Sequence, residues 1–356
     1  MRPEILEAMV RPIIGHRGRE MEELMGRIGP RLSGLFRTRR PVYVSTSSAT
    51  GLMEAAIRNC VPRRVLCVIN GAFSERFFEI AQACGREADR LDVEWGESNE
   101  PGTVREALLR GTYDALTLVH SETSTGVLNP LPEIAQTVRE VAPDTLILVD
   151  CVTSLAATKV EVDEWGLDFA LTGSQKAMAL PPGLAFGVAS ERAYRRSLDV
   201  NDRGVYFSFE ALERAAVRGQ TSNTPAVSLL FALDAQLESI EAEGVTERWR
   251  RHQAMAERTW SWVEETRDRL DLDLRVLAPA ERRSPSITCV ALPAQLDGVA
   301  ITQRMRDMGY TIASGYGRLK GSSFRIGHMG DHTVAELEEL LERLTGVLGE
   351  RGQGGG

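Results

Sequence analysis

The chain carries 42 lysine and arginine residues, yet only three are lysines: Lys159, Lys176 and Lys320. Arginine replaces lysine for solubility and for most ion pairs. It does not replace it as a nucleophilic amine, because guanidinium stays protonated while a desolvated lysine can lose its proton. A lysine retained in so arginine-rich a chain is a candidate for amine chemistry. Lys176 is the best placed: in "TGSQKAMALPPG" (172–183) it follows an apolar run and precedes a Pro-Pro-Gly turn. Lys159 reads as a surface charge, and so does Lys320, although it stands near Arg325. His328 and His332 in "HMGDH" have ligand-like spacing, but two histidines make no complete metal site, and no metal is expected.

The elements that must position Lys176 alternate along the first two thirds of the chain. "RRVLCVI" (63–69), "DALTLVH" (114–120), "TLILVD" (145–150), "DFALTG" (168–173) and "LAFGVAS" (184–190) are short, dense apolar runs suited to strands buried on both faces. "SERFFEIAQACG" (74–85) and "LPEIAQTVREVA" (131–142) read as helices between them. Alternating strands and helices predict an α/β fold with a mostly parallel sheet and helices on both faces. A long amphipathic helix over 245–270 is expected to lead into a smaller α+β domain, with strands at 286–293, 310–314 and 322–328 and helices at 298–308 and 333–348. Trp260 and Trp262 on the linking helix read as packing residues. The expected division is a large domain at 1–244, a small one at 245–349 and a flexible tail at 350–356.

Length and charge narrow the classes. A chain of 356 residues suits two domains. A net charge of -8, with no basic stripe, argues against a nucleic-acid surface. No run reaches the 18 apolar residues of a membrane span, and the first residues lack a signal-peptide core. Cysteines at 60, 67, 84, 151 and 289 show no CxxC spacing, so reduced thiols and a cytoplasmic location are expected.

Open parallel sheets bind ligands at the carboxyl ends of their strands. Asp150 ends one predicted strand, His120 ends another, and Lys176 lies just beyond a third. Upstream, "VYVSTSSATGLMEAAI" (42–57) reads as strand, small polar loop and a helix starting near Gly51, whose free N–H groups could hold a phosphate. A Schiff-base lysine, an acidic partner for a pyridine nitrogen and a phosphate cup together match pyridoxal phosphate.

The stretches "IGHRGREMEELM", "STSSATGLMEAA", "HSETSTGVLNPL", "LVDCVTSL", "GSQKAMALPPGLAF", "TSNTPAVSL" and "FRIGHMG" span nearly the whole chain. In this order they resemble the class V aminotransferases, of fold type I among pyridoxal-phosphate enzymes, and within them the alanine–glyoxylate and serine–glyoxylate enzymes. The resemblance implies that Lys176 holds the cofactor as a Schiff base and moves the α-proton, and that Asp150 pairs with the pyridine nitrogen. It implies that Phe73 stacks on the ring, where many members have Trp, and that Thr123 bonds the ring hydroxyl. Ser48, Ala49 and Thr50, helped by Gln175, would form the phosphate cup, with Ala49 standing where Gly is frequent. Arg325 would grip the substrate carboxylate. "TSNTP" (221–225), with Thr221 and Thr224, resembles the segment that reaches the partner subunit's phosphate, which implies a homodimer with shared sites. The family's opening Pro-Gly-Pro-rich segment has no counterpart before Arg2, a departure expected at the substrate pocket.

The implied reaction is amino-group transfer from alanine or serine to glyoxylate or pyruvate, because Arg325 is the one clear carboxylate-binding arginine. The alternatives on this scaffold are a lyase or aldolase, and a cysteine desulfurase. A desulfurase needs a mobile cysteine shortly before that arginine, and "SGYGRLKGSSFRIG" contains none.

Overall fold

A computed structural model describes residues 1–350; from residue 351 on, the expected tail lies outside the described residues. Helices α1 (Pro3–Ala8) and α2 (Arg19–Phe36) lead into β1 (Tyr43–Ser45), α3 (Ala49–Cys60), β2 (Arg64–Ile69), α4 (Ala72–Ala83), β3 (Glu87–Asp92), α5 (Pro101–Leu109) and β4 (Ala115–Val119). A small ladder of β5 (Ser121–Glu122) and β6 (Val127–Leu128) follows, then α6 (Leu131–Val141), β7 (Leu146–Asp150), β8 (Phe169–Gly173) and β9 (Ala185–Ala189). Next come α7 (Glu191–Leu198), α8 (Phe209–Val217), α9 (Val227–Glu243) and α10 (Val245–Leu270). The chain closes with β10 (Arg275–Val276), β11 (Ile287–Ala291), α11 (Gly298–Asp307), β12 (Ala313–Ser314), β13 (Ser323–Gly327) and α12 (Val334–Gly349).

The central sheet has the order β1-β9-β8-β7-β4-β2-β3. β3, β2, β4, β7 and β8 are mutually parallel, and β9 runs antiparallel to both of its neighbours. The reversal follows from chain length: the Pro-Pro-Gly link between β8 and β9 is too short for the crossover helix that a parallel return requires. Successive residues alternate between two apolar cores. Leu66, Val68, Leu116, Leu118, Ile147 and Val149 join one, and Val65, Cys67, Ala115, Leu146 and Leu148 join the other. This period-two split is what strands buried on both faces produce. Edge strand β3, "EADRLD", is charged and largely uncovered, and its sequence lacks the apolar density that marks the others.

A third core draws on Met255 through Leu348, between the four-stranded sheet β10-β11-β13-β12 and helices α10, α11 and α12. On that core we propose the domain boundary at 244/245. Trp262 is buried there and donates to Thr345 Oγ1, while Trp260 donates to Thr288 Oγ1. Among the described residues no helix is long and apolar enough to cross a membrane.

Candidate active site

Lys176 sits in the turn that leaves β8, and that turn is tied down from several sides. Ser174 Oγ donates to the Pro181 carbonyl, and the Leu180 amide donates to the Ser174 carbonyl. The Ala177 carbonyl accepts from Arg248 Nη2 at 2.7 Å. Ala179 holds a positive φ of 53°, a strained setting for a residue with a Cβ. Among the described residues the Lys176 ammonium has no carboxylate within ion-pair distance. Burial lowers its pKa first and Arg325 lowers it further, against the opposing pull of Asp150. A lysine so placed is poised to give up its proton.

Asp150 ends β7, beside Val119 of β4 and Leu171 of β8. It is buried, and the Val152 amide donates to Oδ1 at 2.7 Å. Burial pushes its carboxyl up to about 7, and nearby Glu122 adds to this. A cationic ring nitrogen would supply the counter-charge that such a carboxylate lacks.

Helix α3 begins at Ala49, two residues earlier than its sequence suggests, with Ser48 at its N-cap and no side chain capping it. Its first amides are therefore open to an anion. Ala49 is buried, while Ser48 and Thr50 flank it at the surface. Gly173 lies alongside: a Cβ there would come within 2.8 Å of Gln175 Oε1 and 3.4 Å of the Ala49 side chain. The absent side chain leaves a cradle bordered by two of the four residues assigned to the phosphate, Ala49 and Gln175.

Thr123 is buried at the end of β5, its hydroxyl 2.6 Å from Thr153 Oγ1. Arg325, on β13, donates through Nε to the Ser314 carbonyl and through Nη1 to the Thr123 carbonyl, each at 3.1 Å. Those two bonds fix the guanidinium and leave three of its five N–H groups for a carboxylate. Phe73, at the start of α4, stacks on Tyr316 with ring centroids 5.5 Å apart. Arg76 lies over the Phe73 ring and donates to the Tyr316 hydroxyl at 3.0 Å. Lys176, Thr123, Gln175 and Arg325 face one cavity of about 690 Å³, and Met1 and Arg2 form part of its wall.

The structure does not tie every expected residue to this cavity. The Thr221 hydroxyl turns back on the Asn223 carbonyl, and Thr224 is exposed; just after their segment the Ala226 amide donates to Thr46 Oγ1 in the loop before α3. His120 is buried edge-on against Trp165, and burial lowers it to about 3. His328 bonds Thr288 and the Pro285 carbonyl, and no cluster of metal-binding side chains occurs among the described residues. Lys159 and Lys320 are exposed. The sequence reading missed Tyr316, Arg76 and Glu122. For Glu122 there was a signal: an acidic residue among hydroxyls, with no lysine or arginine beside it, in "HSETST".

Comparison with known proteins agrees with this geometry. The family model "Aminotransferase class-V" matches residues 47–318. An uncharacterized aminotransferase of Methanocaldococcus jannaschii is 37% identical over 97% of this chain and 88% of its own length. Alanine–glyoxylate aminotransferase 1 of Saccharomyces cerevisiae is 30% identical over 92% of this chain and 88% of its own. The crystal structure of a subgroup IV aspartate aminotransferase from Thermus thermophilus superposes with a TM-score of 0.89, at 34% identity, covering 98% of this chain and 97% of that one. The chain belongs to the class V aminotransferase family, and is a pyridoxal-phosphate-dependent enzyme of fold type I. The uncapped start of α3, the cradle at Gly173, the unpaired Lys176 and the buried Asp150 all suit that cofactor.

Proposed function

We propose that the enzyme transfers the amino group of a small amino acid, alanine or serine, to glyoxylate or pyruvate. When bound, pyridoxal phosphate supplies an electron sink that makes the substrate α-proton acidic. Lys176 holds the cofactor and then moves that proton, with its pKa lowered for the task. Asp150 keeps the pyridine nitrogen protonated. The α3 start with Ser48, Ala49, Thr50 and Gln175 holds the phosphate, Thr123 holds the ring hydroxyl, and Phe73 lies against the ring.

One observation carries the choice of substrate. Among the described residues two arginines border the cavity, and of these only Arg325 is free of a carboxylate. Arg2 is matched by Asp331 at 3.2 Å and by Glu4 at 3.6 Å. A single free guanidinium suits a donor with one carboxylate better than a dicarboxylate. The desulfurase reading is disfavoured because Cys289, the strand neighbour of Arg325, is buried, and burial pushes its thiol up to about 11.

We also propose a cytoplasmic homodimer in which Thr221 and Thr224 reach the partner's phosphate. Thr224 is exposed, as reaching a second copy requires, and Val10, Ile13, Val205 and Val217 are apolar side chains 67–87% exposed that a second copy could cover. Single-turnover half-reactions with alanine, serine and aspartate, on protein whose reduced cofactor is mapped to Lys176, test the reading. Alanine or serine should convert fastest. Faster conversion of aspartate, or a label on Lys159 or Lys320, would overturn it.

A further inference from the structure

We propose that Glu122 is a positioning residue that aligns the cofactor ring, the ring hydroxyl and the substrate carboxylate through one buried carboxylate at the start of α4. The inference rests on the assignments of Phe73, Thr123 and Arg325 above.

Glu122 is fully buried. Among the described residues no lysine, arginine or histidine pairs with it. Its acceptors are filled instead by neighbouring N–H and O–H groups. Oε1 accepts from the Ser124 amide at 3.0 Å and from Ser124 Oγ at 2.6 Å. Oε2 accepts from the Ser74 amide and Ser74 Oγ, both at 3.0 Å. The Phe73 amide points between the two oxygens, at 3.3 and 3.2 Å. The Ala72 amide completes the set by donating to Ser124 Oγ at 2.9 Å. The first three free amides of α4 thus end on this carboxylate, directly or through Ser124, and the helix dipole offsets its charge.

Room for the carboxylate is built into the backbone. A Cβ on Gly71 would lie 2.4 Å from Glu122 Cγ and 2.5 Å from both Cδ and Ser124 Oγ. Only glycine leaves that space open.

The consequence runs in two directions. Toward α4, the carboxylate holds the backbone of Phe73 and so sets where its ring lies. Toward β5, it anchors the residue before Thr123, whose carbonyl in turn receives Arg325 Nη1. Glutamine could not substitute well. Its amide would turn donors toward N–H and O–H groups that need an acceptor, leaving buried donors unmatched.

The test compares wild type, Glu122→Gln and Ser124→Ala as full-length proteins. Pyridoxal phosphate is titrated into cofactor-free protein, visible circular dichroism of the bound cofactor is recorded, and KM and kcat are measured with alanine. For Glu122→Gln we expect cofactor affinity to fall about tenfold or more and KM to rise about fivefold, with a weaker dichroic band. Ser124→Ala should move all three in the same direction by less. A Glu122→Gln protein that melts lower but keeps wild-type affinity, dichroism and KM would make Glu122 a helix cap alone and overturn the proposal. Should Glu122→Gln fail to fold, wild-type values in Ser124→Ala overturn it equally. Wild-type protein that binds cofactor elsewhere than Lys176 counts against the site assignment, whereas wild-type binding at Lys176 matched by both variants counts against Glu122 alone.

Discussion

At the scale of single residues, Asp150 links the cofactor to stability. Its folded-state pKa, about 7, lies above the ordinary carboxyl value, with burial as the main cause. Between the two values the folded protein holds a proton that the unfolded chain has released. This contribution is complete at low pH and is lost as pH rises through about 7. Cofactor-free wild type should therefore lose stability, on the order of a few kcal/mol, relative to Asp150→Asn as pH rises from about 4 to 7. Urea melts of the two cofactor-free proteins across that range check it, and parallel curves would exclude it. The same variant should slow α-proton removal, since a neutral partner leaves the ring a poorer electron sink. Arg325 supports a second expectation. A planar fork meets a carboxylate with two parallel bonds, a geometry lysine lacks. Arg325→Lys should raise KM for amino and keto acids alike by about tenfold, with cofactor content unchanged. An unchanged KM with a large drop in Tm would make Arg325 a structural residue.

At the scale of elements, the segment joining β2 to α4 accepts no side chain at Gly71. Gly71→Ala pushes a methyl group into Glu122 and Ser124, atoms that cannot withdraw without breaking their bonds to the Ser74 and Ala72 amides of α4. Overpacking of this kind costs about 1–3 kcal/mol. The expected result is a lower Tm together with weaker cofactor binding, because the displaced element carries Phe73. Wild-type cofactor affinity in a destabilised Gly71→Ala protein would show that the α4 start can shift without disturbing the ring.

At the scale of the whole molecule, the segment after β13 and the lysine turn meet on α10. Arg248, fully buried in that helix, donates to the Ala177 carbonyl next to Lys176, to Asp331 at 3.0 Å and to Glu243 at 2.7 Å. Arg2 reaches the same Asp331, and His252 Nε2 accepts from the Gly330 amide. The segment after β13 is thereby clamped against the Lys176 turn. Removing one partner of a buried charge pair costs about 3–5 kcal/mol, since the other is left uncompensated. Arg248→Ala should lose stability of that order and slow turnover as well, by freeing the turn that carries Lys176. Chemical denaturation and steady-state rates measure the two effects, and a stability loss below about 1 kcal/mol would rule out the clamp.

Much of this was legible before any coordinates. The apolar runs that became β2, β4, β7, β8 and β9 are dense because both faces are buried, and composition shows that directly. Lys176 and Asp150 stood out because strand ends and residue chemistry are local properties. The helix α10 was readable over its full length, because its buried positions, Arg248, His252, Met255, Thr259, Trp262 and Thr266, recur every three or four residues. Other features depend on pieces distant in sequence. The antiparallel course of β9 was hidden because an apolar run carries no direction. Edge strand β3 was missed because one uncovered side lets charged residues into it. Glu122 reads in sequence as one more acidic residue; only folding brings it to the free amides of α4, 48 and 49 positions away in the chain. Arg2 borders the same cavity as Arg325, and only folding pairs it with Asp331, 329 residues distant. Sequence by itself determined the class of chemistry and the strands that present it, because those follow from residue type and short-range period. The tertiary structure decided which charges remain unpaired at the cavity, because pairing is settled by contacts between segments that the chain order keeps apart.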